Sequence, residues 1–247
     1  MTSSGRRLPW KTEYLPGFER PIFVVCPPRS GSSMVGGVLH LCGAFGGEMI
    51  PPDDIHPKGY FENKELYFYI LEKLSSVFPQ SLVQSFLRCC GYEGGPWFLK
   101  VPDVLFHWKE FYKIFPEAQW VIVKRDEDDV RQSWRRFVEK SPFNLEVGFI
   151  ERFFPLMAEV EAGVAHSHVI SSVEAVQDPS LVPFKGLVSW LGLEWNEGAV
   201  RAFLDKDLLN YPARQVGAKG FPLAVSSAPV SRSKASGGDQ PPLQLDI

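Results

Sequence analysis

Residues 22–41, IFVVCPPRSGSSMVGGVLHL, leave this chain little choice of architecture: an apolar, largely β-branched run, then turn residues, then apolar residues at helical spacing. The run at 22–26 lacks polar alternation, which is how a parallel strand covered on both faces reads. Met34, Val38 and Leu41 recur on one helical face after Ser33, and Gly43 supplies a C-terminal stop. Strand, tight loop and helix is therefore the predicted opening unit.

The same signal returns at residues 97–101 (WFLKV) and 120–124 (WVIVK), and between them Leu105, Trp108, Tyr112 and Phe115 share one helical face as far as Pro116. That connection has the length a parallel crossover needs. Val130, Trp134 and Phe137 mark a further amphipathic helix, residues 144–165 a long helical stretch, and residues 168–172 (HVISS) a fourth strand. Residues 183–209 read as two short helices divided at Gly192, with Asn196 capping the second. Alternation of strand and helix predicts an α/β fold, a mainly parallel sheet of four to five strands flanked by helices, with its site at the C-terminal strand ends.

Residues 1–20 read as an arm lying on a single domain at 21–215, and residues 216–247, rich in Ser, Pro, Gly and Ala, as a disordered tail. Residues 43–95 carry Pro51, Pro52, Pro57 and an aromatic cluster, and are expected to form a partly helical cover over the site. A net charge of −3 argues against nucleic acid as a partner. No apolar run approaches the length of a membrane span or follows the N-terminal arginines as in a leader. Cys26, Cys42, Cys89 and Cys90 form no CxxC pair and no zinc-ligand spacing, so neither metal nor a disulfide framework is expected, and a cytoplasmic location fits. His40, His56, His107, His166 and His168 share no ligand spacing and read as structural.

Chemistry concentrates in CPPRSGSSM, where a strand ends and a helix begins, so that loop amides and the helix N-terminus favour an anion. Gly31 allows close approach, Arg29 adds a charged planar fork, and the hydroxyls of Ser30, Ser32 and Ser33 can donate to anionic oxygens. The loop is not a nucleoside triphosphatase loop, because Ser32 stands where that motif has its lysine.

PPRSGSSM after a strand resembles the 5'-phosphosulfate loop of the sulfotransferase family. VIVKRDEDDVRQSW is similar to that family's 3'-phosphate element, with Arg125 at the strand end and Ser133 eight positions later. GYFEN at 59–63, preceded by HPK, resembles a segment of microbial members, and VISSVEAVQDPSLVPFKGLVSWLGL is similar to the family's strand, acidic turn and helix ending in Leu-Gly. Together these stretches run through roughly residues 21–209 in family order. The resemblance implies a P-loop-like sulfotransferase fold. It also implies transfer of a sulfuryl group, without metal, from 3'-phosphoadenosine 5'-phosphosulfate (PAPS) to a hydroxyl or amine of a small acceptor. Aromatic content suggests that this acceptor is apolar or aromatic.

Two departures accompany it. The Lys-Thr-His element of cytosolic animal members reads Lys100, Val101, Pro102, so its histidine is missing, and the C-terminal Arg-Lys-Gly clamp is only hinted at by Arg214, Lys219 and Gly220. Arg29 and Lys100 are expected at the bridging oxygen, and the resemblance to glutamate-using members implies a carboxylate as base in place of the histidine, Glu62 first and Glu48 second. Asp103 is read as readily as a helix N-cap. Arg29 and Arg125 should stand about one nucleotide apart, on the order of 10 Å. Two other readings stay open: a P-loop small-molecule kinase, which needs the missing lysine and an acidic magnesium site, and a non-catalytic nucleotide-binding module with a dead base.

Overall fold

The computed structural model describes residues 14–53, 56–67, 80–141 and 145–204. Its elements begin with β1 (Ile22–Val25), α1 (Ser32–Leu41), α2 (Gln80–Cys89) and β2 (Phe98–Lys100). A 3-10 turn (Pro102–His107) runs into α3 (Trp108–Ile114), followed by β3 (Gln119–Lys124) and α4 (Glu127–Lys140). A second 3-10 turn (Val147–Arg152), α5 (Phe153–Gly163), β4 (Ser167–Ser171), α6 (Ser172–Gln177), α7 (Val182–Trp190) and α8 (Glu197–Phe203) complete the described chain.

The sheet has four strands, all parallel, in the order β2-β1-β3-β4, the lower of the two expected counts. Val24 lies opposite Lys100 on one side and Val121 on the other, so β1 is central. The chain leaves β1 to build one side of the sheet and then returns to build the other. The crevice beyond the end of β1 is thus a topological switch point, where α/β sheets bind ligands.

Period-2 alternation explains the unbroken apolar runs. Phe23, Val25, Leu99, Trp120 and Ile122 face a core shared with Trp97, Phe111, Phe115 and Trp134. Ile22, Val24, Phe98, Val121 and Val123 face the opposite core, built with Val35, Val38 and Leu39 of α1 and Phe184, Leu187 and Val188 of α7. Lys100 has the parity of Phe98, so its side chain emerges on the α1 face at the strand end. The end of the N-terminal arm contributes to the first core: Phe18 is fully buried and stacks on Trp97 at 5.8 Å, while Trp97 Nε1 donates to the Phe18 carbonyl at 2.9 Å.

The stretch expected to be one helix at 144–165 is instead a 3-10 turn followed by α5. Pro155 is the reason. Without an N–H, and with a ring that clashes one turn back, it belongs in the first turn of a helix and sets the start of α5 at Phe153. Likewise the helical face of 104–115 divides into the 3-10 turn and α3, with Asp103 inside the turn rather than capping a helix. Asn196 does cap α8, accepting from the Ala199 N–H at 3.2 Å. Among the described residues no helix is long and apolar enough to cross a membrane. The tail at 216–247, and with it Lys219 and Gly220, lies outside the described residues, as does Arg214.

Candidate active site

The loop between β1 and α1 turns through two left-handed residues, Arg29 (φ 70°) and Gly31 (φ 86°). Glycine takes that conformation freely, and here the space requires it too, since a Cβ on Gly31 would lie 2.7 Å from Ser172 Oγ. For arginine the same conformation costs about 1 kcal/mol, and such residues cluster at functional sites. Arg29 Nε donates to Ser133 Oγ on α4 at 3.3 Å, and Arg125 Nη1, from the end of β3, donates to the Arg29 carbonyl at 3.3 Å. Ser172 at the start of α6 locks the loop from the other side, its hydroxyl donating to the Ser30 carbonyl at 2.5 Å.

Arg29 and Arg125 were expected on the order of 10 Å apart, serving opposite ends of one nucleotide. They meet instead, because the left-handed turn at Arg29 presents its guanidinium to α4, where Phe137 also lies against it at 5.5 Å. Two donors beside this cluster, Ser30 Oγ and Arg125 Nε, are closed to solvent and find no hydrogen-bond acceptor among the described residues. Asp129 lies 3.7 Å from Arg125 Nε, too far for a hydrogen bond, and the Cys26 thiol under the loop is at best a weak partner for Ser30. A buried donor left without acceptor costs about 1–3 kcal/mol, and anionic oxygens are what this donor set fits. The N–H groups of Ser32 and Ser33, in the first turn of α1, add to it.

The end of β2 carries the second half of the site. Lys100 Nζ donates to Glu62 Oε1 at 2.6 Å, to the Tyr60 carbonyl at 2.9 Å and to Ser33 Oγ at 3.2 Å. The side chains of Lys100 and Glu62 are only 4% and 5% exposed, so this is a buried pair and not a solvated strand end. Burial pushes the Glu62 carboxyl up, and the Lys100 ammonium opposes that rise. Asp103, just beyond β2, is pushed up to about 6 by its own burial and by the charge of Glu62.

Asp53 and residues 56–63 wrap over these groups. The Tyr60 hydroxyl donates to Asp53 Oδ2 at 2.6 Å, and the His56 N–H donates to Asp53 Oδ1 at 2.8 Å. The His56 ring lies 4.0 Å from the Tyr60 ring, and burial together with the charges of Arg29 and Lys100 holds its imidazole well below the usual range.

The structure therefore gathers Arg29, Ser30, Gly31, Ser33, Lys100, Glu62, Arg125 and Ser133 at the ends of β1, β2 and β3, with Ser32 buried in the first turn of α1. Glu48 is not gathered with them. Its backbone pairs with the Glu62 segment through the Lys64 N–H at 2.8 Å, but its carboxylate is exposed and bridges Lys64 at 3.5 Å. His56, read from sequence as structural, stands among the site's charges. The signal that pointed to it was its place three residues before GYFEN, the segment that carries Glu62. Among the described residues no three His, Cys, Asp or Glu side chains gather as metal ligands do.

Several solved structures are similar to this chain. A sulfotransferase domain of the Synechococcus PCC 7002 olefin synthase superposes with a TM-score of 0.54 at 16% identity, covering 80% of this chain and 81% of that one. A sulfotransferase domain of the curacin biosynthetic pathway matches at 13% identity over 81% of this chain and 82% of its own, with a TM-score of 0.46. A sulfotransferase from Alicyclobacillus acidocaldarius matches at 18% identity over 71% and 82%, with a TM-score of 0.47. No family model and no curated protein matches the sequence. The chain has the sulfotransferase fold.

Proposed function

We propose that this chain is a PAPS-dependent sulfotransferase acting on a hydroxyl or amine of a small apolar or aromatic acceptor in the cytoplasm. The observation that carries the reading is the convergence of Arg29, Arg125, Ser30 and Ser133 into one donor cluster next to the buried Lys100–Glu62 pair. In this reading Arg29 and the backbone amides at the start of α1 take the 5'-phosphosulfate and Arg125 with Ser133 the 3'-phosphate, so the bound nucleotide replaces the Arg29–Ser133 and Arg125–Arg29 contacts with its own oxygens. When bound, the cofactor supplies the sulfuryl group that the acceptor receives.

The remaining chemistry belongs to the chain's own side chains. Lys100 brings a fixed positive charge to the point where negative charge develops, preorganised by three acceptors so that little reorganisation is needed. Glu62 takes the acceptor proton on a carboxylate oxygen. Its burial favours the protonated form, and this makes it a better base than a solvated glutamate once Lys100 turns to the anion.

The test is binding before turnover. Arg125→Ala should weaken 3',5'-adenosine bisphosphate at least tenfold, since a charge-assisted contact contributes about 1.5–3 kcal/mol. Adenosine 5'-phosphosulfate, which lacks the 3'-phosphate, should lose much less, and both should bind in EDTA. Equal losses for the two ligands, or no transfer of label from PAPS to any of a panel of phenols, alcohols and amines, would refute the reading.

A further inference from the structure

His56 has no part in the transfer described above, yet its surroundings are unusual for a structural histidine. Its ring is clamped against Tyr60 at 4.0 Å, and the Tyr60 carbonyl receives the Lys100 ammonium at 2.9 Å. Its main chain is fixed as well, with the N–H on Asp53 Oδ1 at 2.8 Å and the carbonyl receiving the Gly59 N–H at 2.8 Å. Nδ1 is nevertheless closed to solvent and has no partner among the described residues. A rigid ring with an unmatched buried nitrogen is expensive.

The groups around the ring indicate what would match it. Arg29 from the anion loop and Lys100 from the end of β2 act on it with positive charge. Within its own segment Asp53 is occupied by the His56 N–H and the Tyr60 hydroxyl, and Glu62 by Lys100. For a neutral imidazole under the influence of two cations, an oxygen of an anion that offsets those cations is a natural complement.

Resting on the sulfotransferase reading, we propose that His56 is a further ligand of the anionic cofactor, donating through Nδ1 to one of its oxygens and entering the complex as an imidazolium. The free protein holds the ring neutral because burial and the charges of Arg29 and Lys100 oppose protonation. Neutralising those charges with an anion removes the opposition, so binding and proton uptake are linked. His56 thereby adds positive charge to the site only when the anion is present.

Isothermal titration with 3',5'-adenosine bisphosphate at pH 6.5, in two buffers of different ionisation enthalpy, measures the proton uptake directly. If the imidazole in the complex returns to its ordinary range, the native protein takes up about half a proton more per ligand than His56→Gln. The ratio of native to variant affinity should also rise about tenfold between pH 7.5 and pH 5.5. Reading the ratio cancels the phosphate's own protonation near pH 6. A histidine C2–H titration on the native protein gives the same answer without relying on the variant's folding: the His56 resonance titrates at higher pH when the ligand is bound. Ligand binding with equal proton uptake in both proteins, or an unmoved resonance, overturns this inference and leaves the sulfotransferase reading standing. Failure of the native protein to bind the bisphosphate overturns both.

Discussion

Replacing Lys100 by Met leaves the Glu62 carboxylate buried with no cation beside it, and the structure sets the size of the penalty. The pair is 2.6 Å apart with both side chains almost fully enclosed, so an unpaired carboxylate there will take up a proton rather than remain charged. Keeping a carboxyl with an ordinary value of 4.5 protonated at pH 7 costs about 3 kcal/mol at 1.36 kcal/mol per unit. That is the expected loss of Lys100→Met, equivalent to roughly 6–12 °C in Tm for a domain of this size. The carboxyl in this variant is raised above its unfolded value, so its stabilising contribution is full below about pH 4.5 and is lost as pH rises. The deficit should therefore shrink to under about 1 kcal/mol at pH 5. Urea unfolding followed by tryptophan fluorescence at pH 5, 6 and 7 reads this directly. The double variant Lys100→Met with Glu62→Leu should recover most of the loss, since apolar groups of similar volume replace buried ion pairs well. A single variant as stable as the native protein at pH 7, or a deficit independent of pH, would show that the pair is not buried as described.

Asp103 titrates near 6 against an ordinary value of 3.8, which amounts to up to about 3 kcal/mol of stability present below pH 4 and lost as pH rises through 6; Asp103→Asn should gain on the native protein over that interval in the same unfolding assay. Gly31→Ala combines a left-handed φ with a Cβ 2.7 Å from Ser172 Oγ, and should cost about 1–3 kcal/mol and loosen the binding of 3',5'-adenosine bisphosphate; Gly31→Ala in a Ser172→Gly background tests the steric part, and failure to recover any stability there counts against it. Glu62→Gln should lower kcat by about 10² to 10⁴ on alkyl alcohols, and by less on nitrophenols that are already partly ionised, with cofactor affinity nearly unchanged. Glu48→Gln, whose carboxylate is exposed, should leave turnover intact, and abolition of turnover by that change alone would move the base to Glu48.

What could be read from the chain follows how local each interaction is. The strand, loop and helix at 22–41 were legible because the apolar run, the turn residues and the helical spacing lie within twenty residues and agree with one another. The loop's set of donors at a helix start was legible for the same reason. The left-handed turn at Arg29 was not, because nothing in an arginine announces a positive φ; contacts made 96 and 104 residues away, with Arg125 and Ser133, hold it there. That is why two elements expected at opposite ends of a nucleotide stand in contact. The split of residues 144–165 was legible in principle, since Pro155 carries a local signal that the apolar spacing overrode.

The Lys100–Glu62 pair shows a different limit. The alternation of β2 places Lys100 on the α1 face, which any strand reading gives, but its partner arrives from a segment 38 residues earlier whose path depends on packing. An apolar residue at either position would satisfy the core equally well, so burial alone cannot explain a charged pair there. Buried pairs that cost desolvation persist when one member is needed charged, and Lys100 reaches Ser33 in the first turn of α1, on the anion loop itself. The same argument extends to His56, whose backbone is tied down on both sides while its Nδ1 has no partner among the described residues. The lysine joins the glutamate to Ser33 at the start of α1, and the imidazole feels Arg29 of the same loop, so an anion entering that loop is expected to change the protonation of the group as a whole.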